Sequence, residues 1–180
     1  MASVTIELPP QAALTGFNLR RWAKLVEDPE LAGIEGRIET DRHGQIIMSP
    51  PPAASHSRFE FRIAYLLQHY LPHGEVLTEC PISTADGVKA ADVAWASPEC
   101  MRTLGNRVCF PRAPEICVEV LSPRNTKAAM EEKFRLYFDA GAVEVWTCAK
   151  SGTMTFFGPK LRQLNTSAVC PQFPKHIKLP

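Results

Sequence analysis

Residues 115–140 read EICVEVLSPRNTKAAMEEKFRLYFDA. The run from Glu115 to Leu121 is a strand-like apolar segment with one carboxylate, Glu119, set inside it. Ser122-Pro123 turns the chain, and a helix is expected from Thr126 to Ala140. Val143 to Cys148 is again strand-like, so the stretch predicts a βαβ unit with a right-handed crossover. A carboxylate inside a buried strand is costly unless it is paired or bound to a cation. The chain holds a second anomaly of this kind upstream, Asp92 in AADVAWA. Together they suggest a metal site on a sheet, with Lys133 nearby.

Side chains on a strand alternate between its faces. Asp92 then shares a face with Ala90, Ala94 and Ala96, while Val93 and Trp95 point the other way. Small residues around a carboxylate leave a hollow for an ion or a substrate. Glu119 shares a face with Glu115 and Cys117, opposite Ile116, Val118 and Val120. Glu79, in the strand expected at 76–84, is a third acid. On the helix, Met130, Phe134, Tyr137 and Phe138 form the inner stripe, and Lys133 falls inside its arc. Glu132, Arg135 and Asp139 lie on the wet side. A lysine in that position snorkels out or meets an acid. Two readings follow. The acids and the lysine form a structural ion-paired cluster, or they form a site for a hard cation such as Mg²⁺, which takes carboxylate, water and phosphate oxygens.

The rest of the chain supplies a frame for these residues. Residues 1–15 read as a loose arm, and 16–180 as one domain. An amphipathic helix is expected over 16–30 and a β-hairpin over 33–48, turning at Arg42-His43-Gly44. A second helix is expected from Ala54 to Tyr70, with His56 on the edge of its apolar stripe. Strands at 76–84 and 89–96 meet at Asp86-Gly87, and 98–104 is a short helix. Further strands are expected at 153–158 and 160–164. The class is α/β or mixed α+β, with helices packed on a mixed sheet.

Composition narrows the function classes. The hydrophobic share of 45% and charged share of 22% are those of an ordinary globular chain. A net charge of +1 gives no global field toward nucleic acid, so phosphate contact must come from a local patch. No run reaches membrane-spanning length, and the N-terminus lacks the pattern of a signal peptide. The six cysteines contain no CxxC, and several lie in apolar runs, which predicts reduced core thiols in a cytoplasmic protein.

Several segments, in order, resemble one family. GQIIMSPPPAASH, AADV, EICVEVLSP and EEKFRLYFDAGAVEVWTC together are similar to the Uma-two family of restriction-endonuclease-like proteins, within the PD-(D/E)XK nuclease superfamily. The resemblance runs from about Ile34 to Gly158. It implies a restriction-endonuclease-like αβββαβ core preceded by a helix and a hairpin, and Mg²⁺-dependent cleavage of DNA, with Mn²⁺ as a substitute. Carried over by position, Asp92 and Glu119 are the motif acids, and Glu79 matches a further acidic position on the metal. The motif lysine two residues after Glu119 is replaced by Leu121, and the family pattern supplies it from the next helix as Lys133. Ala91 stands where the family has proline. His56 matches a frequent position with no assigned role. Cutting both strands of a duplex implies a homodimer. The rival expectations are a non-catalytic nucleic-acid- or protein-binding module that keeps the fold, and a purely structural Asp/Glu/Lys cluster.

Overall fold

β5 (Ile116–Val120) is buried along its whole length because it lies inside a six-stranded sheet. The structure, a computed structural model, describes residues 11–31, 33 and 36–179. The strand order is β3 (Glu75–Thr84), β4 (Gly87–Ala96), β5, β6 (Glu144–Cys148), β7 (Met154–Gly158) and β8 (Arg162–Leu164). β5 and β6 run parallel, joined by helix α4 (Lys127–Asp139); the other neighbours are antiparallel. α2 (Ala54–Tyr70), β3, β4, β5, α4 and β6 reproduce the expected αβββαβ order. A separate hairpin, β1 (Arg37–Thr40) with β2 (Ile46–Ser49), lies against β4. Ile34 and Glu35 of the expected hairpin lie outside the described residues.

Helices cover both faces of the sheet. α2 buries Phe59, Ile63 and Leu67 in one core with Val93, Trp95, Ile116, Val118 and Trp146. α4 buries Met130, Phe134 and Tyr137 in a second core with Ala94, Cys117 and Val145. Alternation along β5 therefore assigns Ile116, Val118 and Val120 to the α2 side and Cys117 to the α4 side. Thr126 caps α4 by accepting from Ala129 N–H, and Ser97 caps α3 (Pro98–Leu104) by accepting from Cys100 N–H. The six cysteines are buried and free, and burial pushes every one of their thiols above the ordinary range. Among the described residues no helix is long and apolar enough to cross a membrane.

The first helix differs from the expected bounds. α1 spans Gln11–Val26, so residues 11–15 are helical rather than part of a loose arm. Ala12, Ala13 and Leu14 are strong helix formers, and prolines immediately precede the helix start in sequence. Residues 1–10 lie outside the described residues. Asn18 of α1 donates to Ser83 Oγ and to the carbonyls of Thr84 and Gly87, which ties the helix to the β3–β4 turn.

Strand alternation changes phase in the middle of the β3–β4 hairpin. Leu77 and Ala94 belong to the α4-side core, yet so do Cys80, Ile82 and Ala91. The switch falls between the paired positions Thr78↔Val93 and Cys80↔Ala91, at Glu79 and Asp92. Glu79 has φ +50°, a left-handed conformation that costs an L-residue about 1–2 kcal/mol. The β4–β5 ladder also ends here, at Val93↔Val118. Asp92 thus stands where the hairpin flips and where its neighbouring strand splays away.

The tail returns to the sheet through a buried carboxylate. Glu144 accepts from Trp146 Nε1 at 2.7 Å, Ala168 N at 2.6 Å and Val169 N at 3.1 Å. This clamps the segment that brings Phe173 and Ile177 into the α2-side core. Glu144→Ala leaves three donors without an acceptor, each worth about 1–3 kcal/mol when buried. Urea unfolding is expected to show a loss of about 3 kcal/mol or more, against a change within about 0.5 kcal/mol for exposed Glu75→Ala.

Candidate functional site

A cleft of about 700 Å³ opens over the splayed ends of β4 and β5. Its walls include Arg37 and Glu39 from β1, His56 from α2, Glu79 from β3, Asp92 from β4, Glu119 from β5 and Lys133 from α4. All four residues singled out in the sequence, Asp92, Glu119, Lys133 and Glu79, therefore line one cavity. The βαβ unit supplies two of them. Glu119 is the α4-facing residue at the end of β5, and α4 returns Lys133 over it.

Lys133 Nζ lies 3.1 Å from Glu119 Oε2, 3.0 Å from Glu39 Oε1 and 3.1 Å from the Ala90 carbonyl oxygen. The helix phase read from the sequence is correct: Lys133 points inward, while Arg135 is exposed and pairs with Glu131 at 3.5 Å. Leu121, at the usual lysine position of the motif, lines the cleft and donates its N–H to Cys148 O. Tyr137 Oη donates to the other Glu119 oxygen at 2.8 Å. Glu119 is thus held by two donors from one helix face, one turn apart.

Asp92 is held by a different set. Its Oδ2 accepts from Val120 N–H at 2.6 Å. Arg37 Nη1 lies 2.6 Å from Oδ1, and His56 Nε2 lies 3.4 Å from Oδ2. His56 Nε2 is also 3.1 Å from Glu60 Oε1. Arg37 Nε reaches Glu79 Oε2 at 2.8 Å, so one guanidinium spans Glu79 and Asp92. Glu79 itself is about half exposed.

The electrostatics divide these acids into two kinds. Burial disfavours the Asp92 charge, but His56, Arg37, Lys133 and the Val120 N–H outweigh it and hold the carboxyl below its ordinary range. Glu39 is likewise lowered, by Lys133 and the Ala90 N–H against the effect of burial. Burial pushes Glu119 up to about 7, with Lys133 opposing it and the Asp92 charge adding to it. Glu79 is also raised, first by burial, with Arg37 opposing. Sharing its proton with Asp92, and next with Glu60, lifts His56 to about 10, so it is cationic at neutral pH. Burial works against the charge of Lys133, but Glu119 and Glu39 keep it protonated.

The residues present fit a divalent cation. Five carboxylates, those of Glu39, Glu60, Glu79, Asp92 and Glu119, face three cationic groups, Arg37, His56 and Lys133. Neither Asp92 Oδ1 nor Glu60 Oε1 receives a well-directed hydrogen bond. Ligand atoms of His56, Glu60 and Asp92 lie within 4.8 Å of one another, though His56 would have to lose its proton before joining a metal there. Carboxylate oxygens in excess of local positive charge are the donor set a hard cation takes.

Four participants were not assigned from the sequence: Arg37, Glu39, Glu60 and Tyr137. Two signals were available. His56 and Glu60 are four apart on a helix and so share a face. Arg37 and Glu39 are two apart on a strand and do the same. Helical periodicity puts Tyr137 in the apolar stripe, and only its hydroxyl partner gives it a second role.

The Uma2 family model, described as "Putative restriction endonuclease", matches residues 25–177. Among solved structures, the chain is similar to a "putative nuclease belonging to DUF820 from Anabaena variabilis ATCC 29413". That match has a TM-score of 0.65 and 16% identity, over 85% of this chain and 93% of the other. At that identity the likeness is one of fold. No curated protein matches the chain. A restriction-endonuclease-like sheet and a family match over most of the sequence agree: the chain belongs to the Uma2 family of restriction-endonuclease-like nucleases.

Proposed function

We propose that this protein is an endonuclease that hydrolyses DNA phosphodiester bonds with Mg²⁺, Mn²⁺ serving as a substitute. The observation that carries the reading is one ion-paired cluster in which five carboxylates, Glu39, Glu60, Glu79, Asp92 and Glu119, meet three cations, Arg37, His56 and Lys133, and in which burial raises Glu119 and Glu79. Asp92 and Glu119 would hold the metal, with Glu79 on its outer side. The bound cation would acidify a water and screen the phosphate charge.

The chain's own residues do the rest. Tyr137 and Lys133 fix the two Glu119 oxygens, and each oxygen retains a lone pair for another partner. Lys133 Nζ would orient the attacking water and meet charge growing on the phosphoryl oxygens by exchanging one of its three partners, Glu119, Glu39 or the Ala90 carbonyl, for the substrate. The water oxygen gives up a proton to solvent and forms the new P–O bond, the bond to the leaving strand oxygen breaks, and that oxygen takes up a proton from solvent. His56, Arg37, Lys133 and, last, the Val120 N–H keep Asp92 ionised, and the Val120 N–H aims it along the strand end. A homodimer would bring two such clefts to the two strands of a duplex.

One observation favours a non-catalytic binding module instead. Arg37 and His56 already neutralise Asp92. Plasmid cleavage by the purified protein in Mg²⁺, and its loss in EDTA, decides between the two readings.

Asp92→Asn and Glu119→Gln are each expected to lower cleavage by at least about 10²–10³-fold, the scale of one lost electrostatic group. Circular dichroism should show the fold kept. Cleavage at the natural rate by both variants would remove the site assignment.

Lys133→Ala is expected to cost about 10²–10³-fold in cleavage, while Arg135→Ala leaves the rate unchanged. Equal losses in a plasmid-nicking time course would mean that the lysine does no more than hold the helix.

Metal binding should also show in the melting temperature. Glu119 titrates higher in the folded chain than in the unfolded one, so its ionisation weakens the metal-free fold as pH rises from about 4.5 to about 7. A cation on the carboxylate removes that penalty and stabilises only the native state, by about 2.7 kcal/mol at a hundredfold excess over Kd. The rise in Tm on adding millimolar Mg²⁺ is therefore expected to be larger at pH 8 than at pH 6, and to vanish in Glu119→Gln. A rise independent of pH, or retained in that variant, counts against a metal on Glu119.

A further inference from the structure

The cleft does not end at the acids. Ser55, Phe59 and Lys150 line it and also line a second concavity of about 420 Å³, so the two form one continuous groove. The character of the groove changes along its length. At the β4–β5 end, Glu39, Glu60, Glu79, Asp92 and Glu119 cluster around Arg37, His56 and Lys133, five carboxylates to three cations. At the far end Lys150, His176 and Lys178 contribute to the wall, and no carboxylate among the described residues lines it. Lys150 and Lys178 are exposed, and neither forms an ion pair with a described carboxylate. In a chain of net charge +1, two unneutralised lysines beside one shallow groove are a local field rather than a reflection of composition.

The backbone fixes these lysines side by side. Lys150 sits in the tight β6–β7 turn, closed by Ala149 N–H to Thr153 O at 2.9 Å and Gly152 N–H to Ala149 O at 2.7 Å. The tail docks on that turn. Ile177 N–H donates to Gly152 O at 2.8 Å, Met154 N–H donates to Lys175 O at 2.9 Å, and Thr153 and His176 form an antiparallel bridge. Gly152 has φ +88°, and a Cβ there would collide with the Ile177 carbonyl oxygen. Only glycine permits this approach of tail to turn. Ile177 is buried in the α2-side core, which anchors Lys178 beside it. The groove thus runs from a cation-demanding end to a rigid, anion-demanding end.

A phosphodiester strand has both requirements: a metal at the reacting phosphate and fixed cations at the phosphates that flank it. We propose that this groove is the track of the DNA strand leading away from the scissile phosphate, with Lys150 and Lys178 each neutralising one backbone phosphate. The track rests on the nuclease reading for its direction, but its lysines bind phosphate whether or not cleavage follows. Contacts of this kind position the strand and carry no sequence preference.

The test is equilibrium binding of a short fluorescein-labelled DNA duplex in EDTA, from about 50 to 200 mM salt. The proteins compared are the natural chain, Lys150→Ala/Lys178→Ala, and a control with two exposed helical cations removed, Lys24→Ala/Arg102→Ala. The slope of log affinity against log salt is expected to become shallower by about one for each track lysine, so by about two in the double variant, with a similar loss on every sequence. The control should keep the natural slope. Equal slopes for the natural chain and the track variant overturn the track, as does absence of binding by the natural chain. Cleavage in Mg²⁺ is scored separately. A reduced slope with no cleavage supports the track and removes the nuclease reading alone. Cleavage with an unchanged slope removes the track alone.

Discussion

The hydrogen bond from Val120 N–H to Asp92 Oδ2, 2.6 Å long, is the contact on which the site depends. In a regular antiparallel pair, the backbone of β4 would supply that acceptor. Here a side-chain carboxylate does, and the two strands part beyond Val93↔Val118. The backbone groups freed on β4 find other partners: Ala90 N–H donates to Glu39 Oε1 at 2.9 Å, and Ala90 O accepts from Lys133 Nζ at 3.1 Å. Buried backbone groups must be satisfied somewhere. Side chains replace the ladder at this point, and acids and a lysine from five elements, β1, β3, β4, β5 and α4, meet in one cleft.

The cluster is not assembled for stability. Two unit charges 4 Å apart interact by about 4 kcal/mol at an effective dielectric of 20, and burial offsets much of that gain. The result is uneven. Asp92 and Glu39 are satisfied, and their carboxyls are lowered. Burial raises Glu119 and Glu79, and the positive charge beside them, Lys133 and Arg37, does not offset it. Glu79 in addition adopts a left-handed backbone conformation at the phase change of its hairpin. Strain and uncompensated charge in one place are retained where a ligand relieves them.

Arg37 links the hairpin to this centre. It is the cation closest to Asp92 and reaches Glu79 as well, so β1 contributes to the site despite belonging to a separate sheet. Behind the cleft, the two cores hold α2 and α4 at fixed heights over the sheet. Those heights decide that His56 meets Asp92, while Lys133 and Tyr137 meet Glu119.

The sequence by itself determined the order of elements, the burial of Asp92 and Glu119 in strands, and the inward aim of Lys133. Each follows from a period: two for strands, 3.6 for the helix. Periodicity also assigned Ile116, Val118 and Val120 to the face opposite Cys117, as the two cores show. It could not find the phase change at Glu79 and Asp92, because alternation assumes an unbroken ladder and a left-handed residue breaks it. Nor could it pair Arg37 with Asp92, or Glu39 with Lys133, since neither the hairpin's position against β4 nor the splay of β5 is encoded in local spacing. The identity of the acids is a local property of the chain. Their charge state is set by which cations the folded sheet brings within about 3 Å of them, and only the tertiary structure decides that.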